Sequence, residues 1–384
     1  MKNIGFIGTG LMGFPMAKNL LKSGFKLKVF NRSIEKAEPL RKFGAEISKS
    51  IKEVVNNCDV IITMLTDDIA VDEVMKNPDF LKNIKTGATV IDMSSVKPKT
   101  ALTHGENLKS KNINYLDAPV SGGTVGAEES SLAIMVGGEK KVFEEYIDIL
   151  KTMGNPTLVG PISCGQVSKL ANQIIVGLTI GAVAEAITLC EKADADPNKM
   201  IEALKGGWAD SKILQTHGKR MIDKDFTPKG KTSTHLKDMN NILECAKNFN
   251  TELPISSLVK EMYKTLVENG HGDEDHSSLY KEIESCRICK NQELDLILDL
   301  GTLPLTGVFP KTKSEEVPTG PLSLVKCRES NSKKSCGLVQ LRESYNSKLK
   351  LIMARRPPGL RKSGRMFSRV SSSSSSPLTA IRKA

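Results

Sequence analysis

A lysine and an asparagine near the start of a long apolar segment have the types and spacing for proton transfer. The segment Gly165-Gln-Val-Ser-Lys-Leu-Ala-Asn172 places Lys169 and Asn172 three residues apart, on one face of a helix. A lysine in the first turns of such a helix is costly unless it faces a cleft. In a cleft it could act as an acid or base; the alternative is a lysine that extends back to solvent.

A second segment ends in a serine and two glycines. Asp117-Ala-Pro-Val-Ser-Gly-Gly123 follows a predicted strand, and open α/β sheets bind ligands at the carboxyl ends of their strands. The hydroxyl of Ser121 and the backbone N–H groups of Gly122 and Gly123 could hold a carboxylate. The alternative is a plain surface turn. Lys237, followed by Asp238, could bring a second cation toward the same cleft.

A glycine motif near the N-terminus predicts a dinucleotide site. Gly8-Thr-Gly10-Leu-Met-Gly13 directly follows an apolar strand and opens a helix, as this motif requires. Gly8 permits the tight turn, Gly10 lets the backbone approach a pyrophosphate, and Gly13 allows close packing of helix and strand. The alternative is a glycine-rich structural turn.

The end of the second predicted strand favours NADP over NAD. NAD enzymes usually carry an acid there that accepts from the ribose hydroxyl, but this chain has Asn31-Arg32 and no acid until Glu35. Arg32 can offer two parallel N–H groups to a 2′-phosphate. An ordinary solvated charge at Arg32 is the alternative.

These motifs together resemble the β-hydroxyacid dehydrogenase family, which includes 3-hydroxyisobutyrate dehydrogenases and glyoxylate/succinic semialdehyde reductases. The resemblance covers about residues 1–284 and rests on Ile7–Leu20, Asp117–Gly123, Gly165–Asn172 and Lys237-Asp238. The Asn31-Arg32 pair and the ending Gly270–His276 are closer to the NADP-using semialdehyde reductases of the family.

The resemblance implies a role for each matched residue. Lys169 corresponds to the general acid/base, Asn172 to a substrate-orienting amide, and Ser121, Gly122 and Gly123 to the carboxylate binders. The cofactor-binding residues implied in the same way are Gly8, Gly10, Leu11, Met12, Gly13, Asn31, Arg32, Met64, Leu65, Ser95 and Lys237. Two departures are Ser95, where the family often has threonine, and Ser163-Cys164, where relatives more often carry small residues and glycine.

The implied activity is hydride transfer between NADPH and a small aldehyde that bears a carboxylate. Glyoxylate and the succinate, tartronate and methylmalonate semialdehydes all fit. Imine reduction on the same fold is an alternative, although that group typically replaces the catalytic lysine. A non-enzymatic alternative is a scaffold that binds nucleic acid or partners through its C-terminal region; relatives that lost activity usually lost the lysine as well.

Alternating elements predict a doubly wound α/β sheet that would position these motifs. We expect an NADP-binding Rossmann domain at 1–162 and an all-helical substrate and oligomerisation domain at 163–284. The predicted strands are Asn3–Gly8, Lys26–Asn31, Val60–Met64, Thr89–Asp92, Asn114–Asp117, Ala133–Gly137 and Thr157–Val159. The predicted helices include Met12–Lys22, Ile34–Lys42, Ile69–Met75, Gln166–Lys192, Ile242–Lys247 and Ile255–Glu268. The helix Gln166–Lys192 is apolar nearly all round, which predicts burial on most faces and a homo-oligomer, a dimer or tetramer.

Four cysteines in residues 285–345 form a possible structural zinc site. Cys286, Cys289, Cys327 and Cys336 make a C-x2-C and C-x8-C array, and four thiolates can hold one tetrahedral zinc. The stretch resembles the zinc-binding module that precedes the methyltransferase domain of sugar C-methyltransferases. The sequence after Lys350 does not resemble such a domain, so no methylation is expected. Unliganded thiols are the alternative.

Charge and composition argue against a nucleic-acid-binding protein and against a membrane protein. The net charge is +11, but residues 331–384 hold 13 Lys and Arg against one acid, so the remainder is nearly neutral. The excess therefore gives no reason to expect specific nucleic-acid binding. Residues 346–384 are basic and serine-rich, and disorder is expected there. We also expect no membrane span, no targeting peptide before the first strand, and a cytoplasmic location, which suits scattered reduced cysteines.

Overall fold

A computed structural model describes residues 2–283, 294–304, 319–327 and 339–341. The chain divides into two units, Met1–Ser285 and Cys286–Ala384. Every residue with a predicted role in hydride transfer lies in the first unit.

Nine strands form one sheet in the first unit. They are β1 (Asn3–Ile7), β2 (Lys26–Phe30), β3 (Glu46–Ile47), β4 (Val60–Thr63), β5 (Thr89–Asp92), β6 (Asn114–Asp117), β7 (Val120–Ser121), β8 (Leu132–Gly137) and β9 (Gly154–Gly160). Their order is β3-β2-β1-β4-β5-β6-β8-β7, with β9 paired to β8. The first six strands pair in parallel, whereas β8 runs antiparallel to β6 and β7.

The strands are apolar on both faces because both faces are covered. On β1, Ile4 and Phe6 join one hydrophobic core while Ile7 joins another, and on β4 the same division separates Ile62 from Ile61. Successive side chains of a strand point to opposite faces, so the two cores lie on opposite sides of the sheet. This is the doubly wound arrangement that the sequence predicts.

Seven helices belong to this α/β part. They are α1 (Gly13–Lys22), α2 (Ile51–Val55), α3 (Asp68–Met75), α4 (Pro78–Asn83), α5 (Pro98–Lys109), α6 (Gly123–Glu128) and α7 (Lys140–Lys151). Capping side chains begin three of them: the Ser50 hydroxyl accepts from the N–H of Glu53, the Asp67 carboxylate from the N–H of Ala70, and the Asn77 side chain from the N–H of Asp79.

Residues 164–283 are helical. The α-helices are α8 (Cys164–Lys192), α9 (Pro197–Leu204), α10 (Lys219–Ile222), α11 (Thr232–Asn248) and α12 (Pro254–Leu266), with π-helical turns at Leu214–Gly218 and Val267–His271 and a 3-10 helix at His276–Glu282. A third core joins α8, α11 and α12 through residues such as Ile180, Met239 and Tyr263. The predicted order of a Rossmann-like domain and then a helical domain is confirmed.

The second unit contains a three-stranded antiparallel sheet. Its strands are β10 (Leu294–Pro304), β11 (Thr319–Cys327) and β12 (Val339–Leu341), in the order β10-β11-β12. The Asp299 carboxylate accepts from the N–H of Gly301 and from the Ser323 hydroxyl. Three of the predicted zinc ligands, Cys286, Cys289 and Cys336, and the tail 346–384 lie outside the described residues.

One predicted helix is wrong. In place of a helix over Ile34–Lys42, the structure has two 3-10 turns, Ile34–Lys36 and Glu38–Phe43. Pro39 explains the break, since proline lacks the N–H that would continue a helix and its ring clashes with the preceding turn.

Helix α8 is only partly covered by its own chain. Only nine of its 29 residues are buried within this chain, and Ile175 and Leu189 are 65% and 71% exposed. In addition, α8 is long and apolar enough to cross a membrane by length and composition. Within the first unit it packs against β8 and α11, as a long core helix does.

Candidate active site

The glycine loop between β1 and α1 is tightly built. A Cβ atom at Gly13 would lie 1.9 Å from the carbonyl oxygen of Gly8, so only glycine lets the helix start this close to the strand. The loop is joined to the end of β2: the N–H of Gly8 donates to the carbonyl of Phe30, and the N–H of Thr9 donates to the Asn31 side chain, both at 2.9 Å. Asn31 therefore holds the loop in place.

Space beside this loop fits a bound dinucleotide. Nothing lies within 4 Å of the Cβ position of Gly10, and Leu11 is 83% exposed. The buried Thr9 hydroxyl has no hydrogen-bond partner among the described residues. A groove of 580 Å³ adjoins the loop and is lined also by Lys18, Lys22 and Lys36, whose charges suit an anionic ligand.

Arg32 lies just beyond Asn31 and is available to a ligand. Its side chain is 92% exposed and approaches only the carboxylate of Glu73, at 4.0 Å, among the described ion pairs. Both groups are exposed, so this pair contributes little and would not hold the guanidinium away from a phosphate.

Hydrogen bonds connect the segments after β4 and β5 to each other, and the segment after β5 to α11. The N–H of Leu65, beside Met64, donates to the Ser94 hydroxyl at 2.9 Å. Lys237 on α11 reaches across to the carbonyl oxygen of Ser95, 3.5 Å from its Nζ. The structure therefore brings Met64, Leu65, Ser95 and Lys237 to one edge of the sheet.

Two buried polar residues fasten the start of α8 to this edge. The side-chain amide of Gln166 accepts from the N–H of Val96 at 3.1 Å and donates to the carbonyl of Ser94 at 2.8 Å. The carboxylate of Asp117 accepts from the N–H groups of Ser163 and Gln166, both at 2.8 Å. Burial raises the pKa of Asp117 to about 6.

Lys169 follows about one turn later and is half-buried, with Lys237 and Asp238 of α11 nearby. Burial lowers the pKa of Lys169; the negative charge of Asp238 opposes this shift, and the positive charge of Lys237 adds to it. Nearby His235 is buried, which lowers its pKa to about 4, so it stays neutral. Lys169 therefore releases its proton more readily than an ordinary lysine does.

Asn172 belongs to a chain of side-chain hydrogen bonds. Its amide donates to the Gln173 side chain at 2.8 Å, and the Gln173 amide donates to the Asp238 carboxylate at 2.7 Å. Asp238 also lies 3.5 Å from Lys237. Asp238 thus links Asn172 to Lys237. Its negative charge also attracts the amines of Lys169 and Lys237.

The predicted carboxylate binders lie at the end of β7. Ser121 ends β7 and is half-buried, while Gly122 and Gly123 are exposed. Helix α8 packs against β7, so Ser121 and Lys169 lie on elements in direct contact. The backbone N–H groups of the two glycines are accessible to a small anion.

One further cluster in the described residues has the spacing of metal ligands, but an arginine already pairs with its carboxylate. Ligand atoms of His217, Asp275 and His276 lie within 4.8 Å of one another. The Asp275 carboxylate pairs with Arg220 at 3.0 Å and accepts from backbone N–H groups of Lys229 and Gly230. A second cation beside Arg220 is disfavoured, so this cluster is better explained as a buried ion pair.

Sequence reasoning missed Ser94 and Gln173, which hold other site residues by hydrogen bonds. Asp117, Gln166 and Asp238 stand inside the quoted motifs, but their contacts were not predicted. The roles assigned to the site residues stay predictions, since their placement alone does not test them.

Family comparisons agree with the two-part architecture. Residues 3–168 match the model of the NAD binding domain of 6-phosphogluconate dehydrogenase. Residues 163–283 match the model described as NAD-binding of NADP-dependent 3-hydroxyisobutyrate dehydrogenase. Residues 286–349 match a model described as "Putative zinc binding domain".

Individual relatives cover most of the first unit. The 2-hydroxy-3-oxopropionate reductase of Escherichia coli is 41% identical over 284 residues, or 73% of this chain and 97% of the relative. The chloroplastic glyoxylate/succinic semialdehyde reductase 2 of Arabidopsis thaliana is 31% identical, covering 76% and 81%. The structure of Mycobacterium tuberculosis 3-hydroxyisobutyrate dehydrogenase with L-serine aligns with a TM-score of 0.69 and 26% identity, covering 74% of this chain and 100% of that one.

Proposed function

The chain belongs to the β-hydroxyacid dehydrogenase family, and from that premise we propose that it reduces a small carboxylate-bearing aldehyde with NADPH. The family makes it an oxidoreductase with a nicotinamide cofactor. The observation that carries the proposal is Lys169, a half-buried lysine with a lowered pKa that lies near Lys237, at the sheet edge where the glycine loop also lies.

The residues around the glycine loop would hold the cofactor. The N–H groups from Gly10 to Gly13 would bind the pyrophosphate and Arg32 the 2′-phosphate. Met64, Leu65 and Ser95 would bind the part of the cofactor nearer Lys237. When bound, NADPH supplies the hydride for the aldehyde carbon.

Lys169 supplies the proton. Reduction of an aldehyde leaves negative charge on its oxygen, and a protonated lysine both stabilises that charge and neutralises it by proton transfer. Burial lowers the pKa of Lys169, which brings proton transfer closer to neutral pH. Asn172 would orient the same oxygen through its amide.

Ser121, Gly122 and Gly123 would bind the carboxylate and thereby select the substrate class. We expect NADPH oxidation, followed at 340 nm, with glyoxylate and with succinate, tartronate or methylmalonate semialdehyde. Aldehydes of similar size without a carboxylate are the matched controls, and kcat/KM should be at least about tenfold lower for them because the hydrogen bonds to the carboxylate are lost.

The opposite result would support one of the alternatives. Reduction of a cyclic imine in preference to every aldehyde would indicate imine reductase activity. No oxidation of NADPH or NADH, combined with salt-sensitive binding of nucleic acid, would indicate the scaffold. The cytoplasmic location stays a prediction.

We further propose that the helical domain forms a homo-oligomer through α8. The helix is apolar nearly all round, and its large apolar side chains Ile175 and Leu189 are mostly exposed in the single chain. A second copy of the chain could cover them. Light scattering at micromolar concentration should give a dimer or tetramer, and Ile175→Glu with Leu189→Glu should shift it toward monomer. A monomeric wild-type protein would contradict this proposal.

The second unit is proposed to bind one structural zinc through Cys286, Cys289, Cys327 and Cys336. Support comes from the family match over residues 286–349 and from the four thiols in the sequence. Elemental analysis should find one zinc per chain, and its removal by a chelator should leave NADPH-dependent reduction intact, as should truncation after residue 284. Zinc-free purified protein, or loss of reductase activity on truncation, would contradict this assignment.

A further inference from the structure

The start of α8 is fastened to the sheet by polar contacts that no catalytic role explains. Gln166 is fully buried, and both atoms of its amide are used: one accepts from Val96 N–H and the other donates to the Ser94 carbonyl. Ser94 and Val96 flank Ser95, so the contacts fix the backbone segment that is predicted to line the cofactor.

Asp117 fastens the same turn to the next strand. Its two carboxylate oxygens accept from the N–H groups of Ser163 and Gln166 at 2.8 Å each. The helix start and the strands are packed too closely for any side chain at Gly165. A Cβ there would lie 2.8 Å from an Asp117 carboxylate oxygen and 2.4 Å from the Met135 carbonyl oxygen. Ser163 has φ of +80°, a backbone conformation that residues other than glycine rarely adopt, and its N–H bond to Asp117 stabilises it there.

We propose that Asp117 and Gln166 are positioning residues that set the place of Lys169 relative to the cofactor. Gln166 is three residues before Lys169, so the two share a face of one rigid helix, and any shift of the first turn moves the Lys169 amine with it. Errors of about 1 Å in such placement can cost about a hundredfold in rate. This inference rests on the proposed function, since it concerns the efficiency of the proton donor.

Protonation of Asp117 should weaken this attachment. The groups that face its carboxylate are Asp92 on β5, Tyr115 on β6 and the first N–H groups of α8. Burial, with the nearby negative charge of Asp92, raises the pKa of Asp117 to about 6. A protonated oxygen accepts poorly, so we expect kcat of the wild-type enzyme to fall as the pH drops through about 6.

Two variants and a control test the proposal on the full chain. Gln166→Met keeps the volume but removes the amide, and Asp117→Asn keeps the shape but removes the titrating carboxylate. The control is Thr188→Val, which removes a hydrogen bond from the Thr188 hydroxyl to the Ala184 carbonyl within the same helix. We expect kcat to fall tenfold to a hundredfold in both variants with KM for NADPH changed less than about threefold, and the control to stay near wild type. The fall below pH 6 should disappear in Asp117→Asn.

Hydrogen exchange without cofactor gives a readout that does not depend on activity. The amides of Val96, Ser163 and Gln166 should exchange at least about tenfold faster in the variant that removes their partner. Normal kcat in both variants, or a loss of kcat with unchanged exchange, would overturn the proposal. Failure of both variants to fold would show a structural role only and would overturn it as well. If the wild-type protein reduces no aldehyde, the proposed function fails, whereas the exchange result still decides whether these contacts hold the first turn of α8.

Discussion

Replacing Lys169 with alanine is expected to lower kcat by about a hundredfold or more. That is the scale at which a positioned acid or base contributes, and Lys169 is a lysine at the site whose pKa is lowered toward neutral pH. Cofactor binding should survive because the glycine loop and Arg32 are untouched. The measurement is steady-state NADPH oxidation together with NADPH titration by fluorescence.

The thermal stability of Lys169→Ala shows whether a fall in kcat reflects the loss of the proton donor or a loss of folding. Burial lowers the pKa of Lys169 below its ordinary value of 10.5, so the folded state binds this proton less tightly than the unfolded state does. The charged lysine therefore costs stability at neutral pH, and the cost is relieved as the pH rises through its lowered pKa. Lys169→Ala should have a Tm equal to or above that of the wild type.

A matched control shows whether the effects on kcat and Tm are specific to Lys169. Lys82→Ala removes a lysine from the exposed surface of α4 and should leave both kcat and Tm unchanged. Added small primary amines should partly restore turnover in Lys169→Ala by occupying the vacated space. Near-normal turnover in Lys169→Ala would contradict the proposed mechanism.

The architecture was largely predictable from the sequence because its signals are local. Apolar runs such as Val60–Met64 and Thr89–Asp92 mark strands buried on both faces, and the glycine motif stands directly between a strand and a helix. The error at Ile34–Lys42 arose because apolar spacing was given more weight than Pro39. The coverage of α8 could not be predicted in the same way, because composition does not say how much of a helix its own chain covers.

The positioning contacts could not be predicted in the same way. Gln166 pairs with Ser94 and Val96, about 70 residues away, and a glutamine in a helix gives no sign of such partners. Asp117 stands at a strand end, where a carboxylate could face a ligand, yet it accepts from the first turn of α8 instead. Residues that touch ligands follow motifs, whereas residues that hold those motifs in place depend on how the chain folds back on itself.

Arg32→Ala is expected to weaken NADPH binding by about tenfold to a hundredfold and to change NADH binding little. A guanidinium gives a 2′-phosphate charge-assisted hydrogen bonds worth about 1.5–3 kcal/mol, and NADH lacks that phosphate. Fluorescence titration with both cofactors measures the difference directly. The preference for NADPH should also weaken as ionic strength rises, because Arg32 is exposed and its charge is screened.

Glu73 supplies the control for this prediction. Its carboxylate is the described partner of Arg32, at 4.0 Å, so Glu73→Gln removes the ion pair while keeping the guanidinium. If Arg32 binds the 2′-phosphate, Glu73→Gln should leave NADPH affinity unchanged or raise it slightly, since a competing anion is gone. If Arg32 instead braces the end of β2 through Glu73, both substitutions should weaken NADPH and NADH alike. Equal losses for the two cofactors in Arg32→Ala would therefore assign Arg32 a structural role and remove the main reason for choosing NADP.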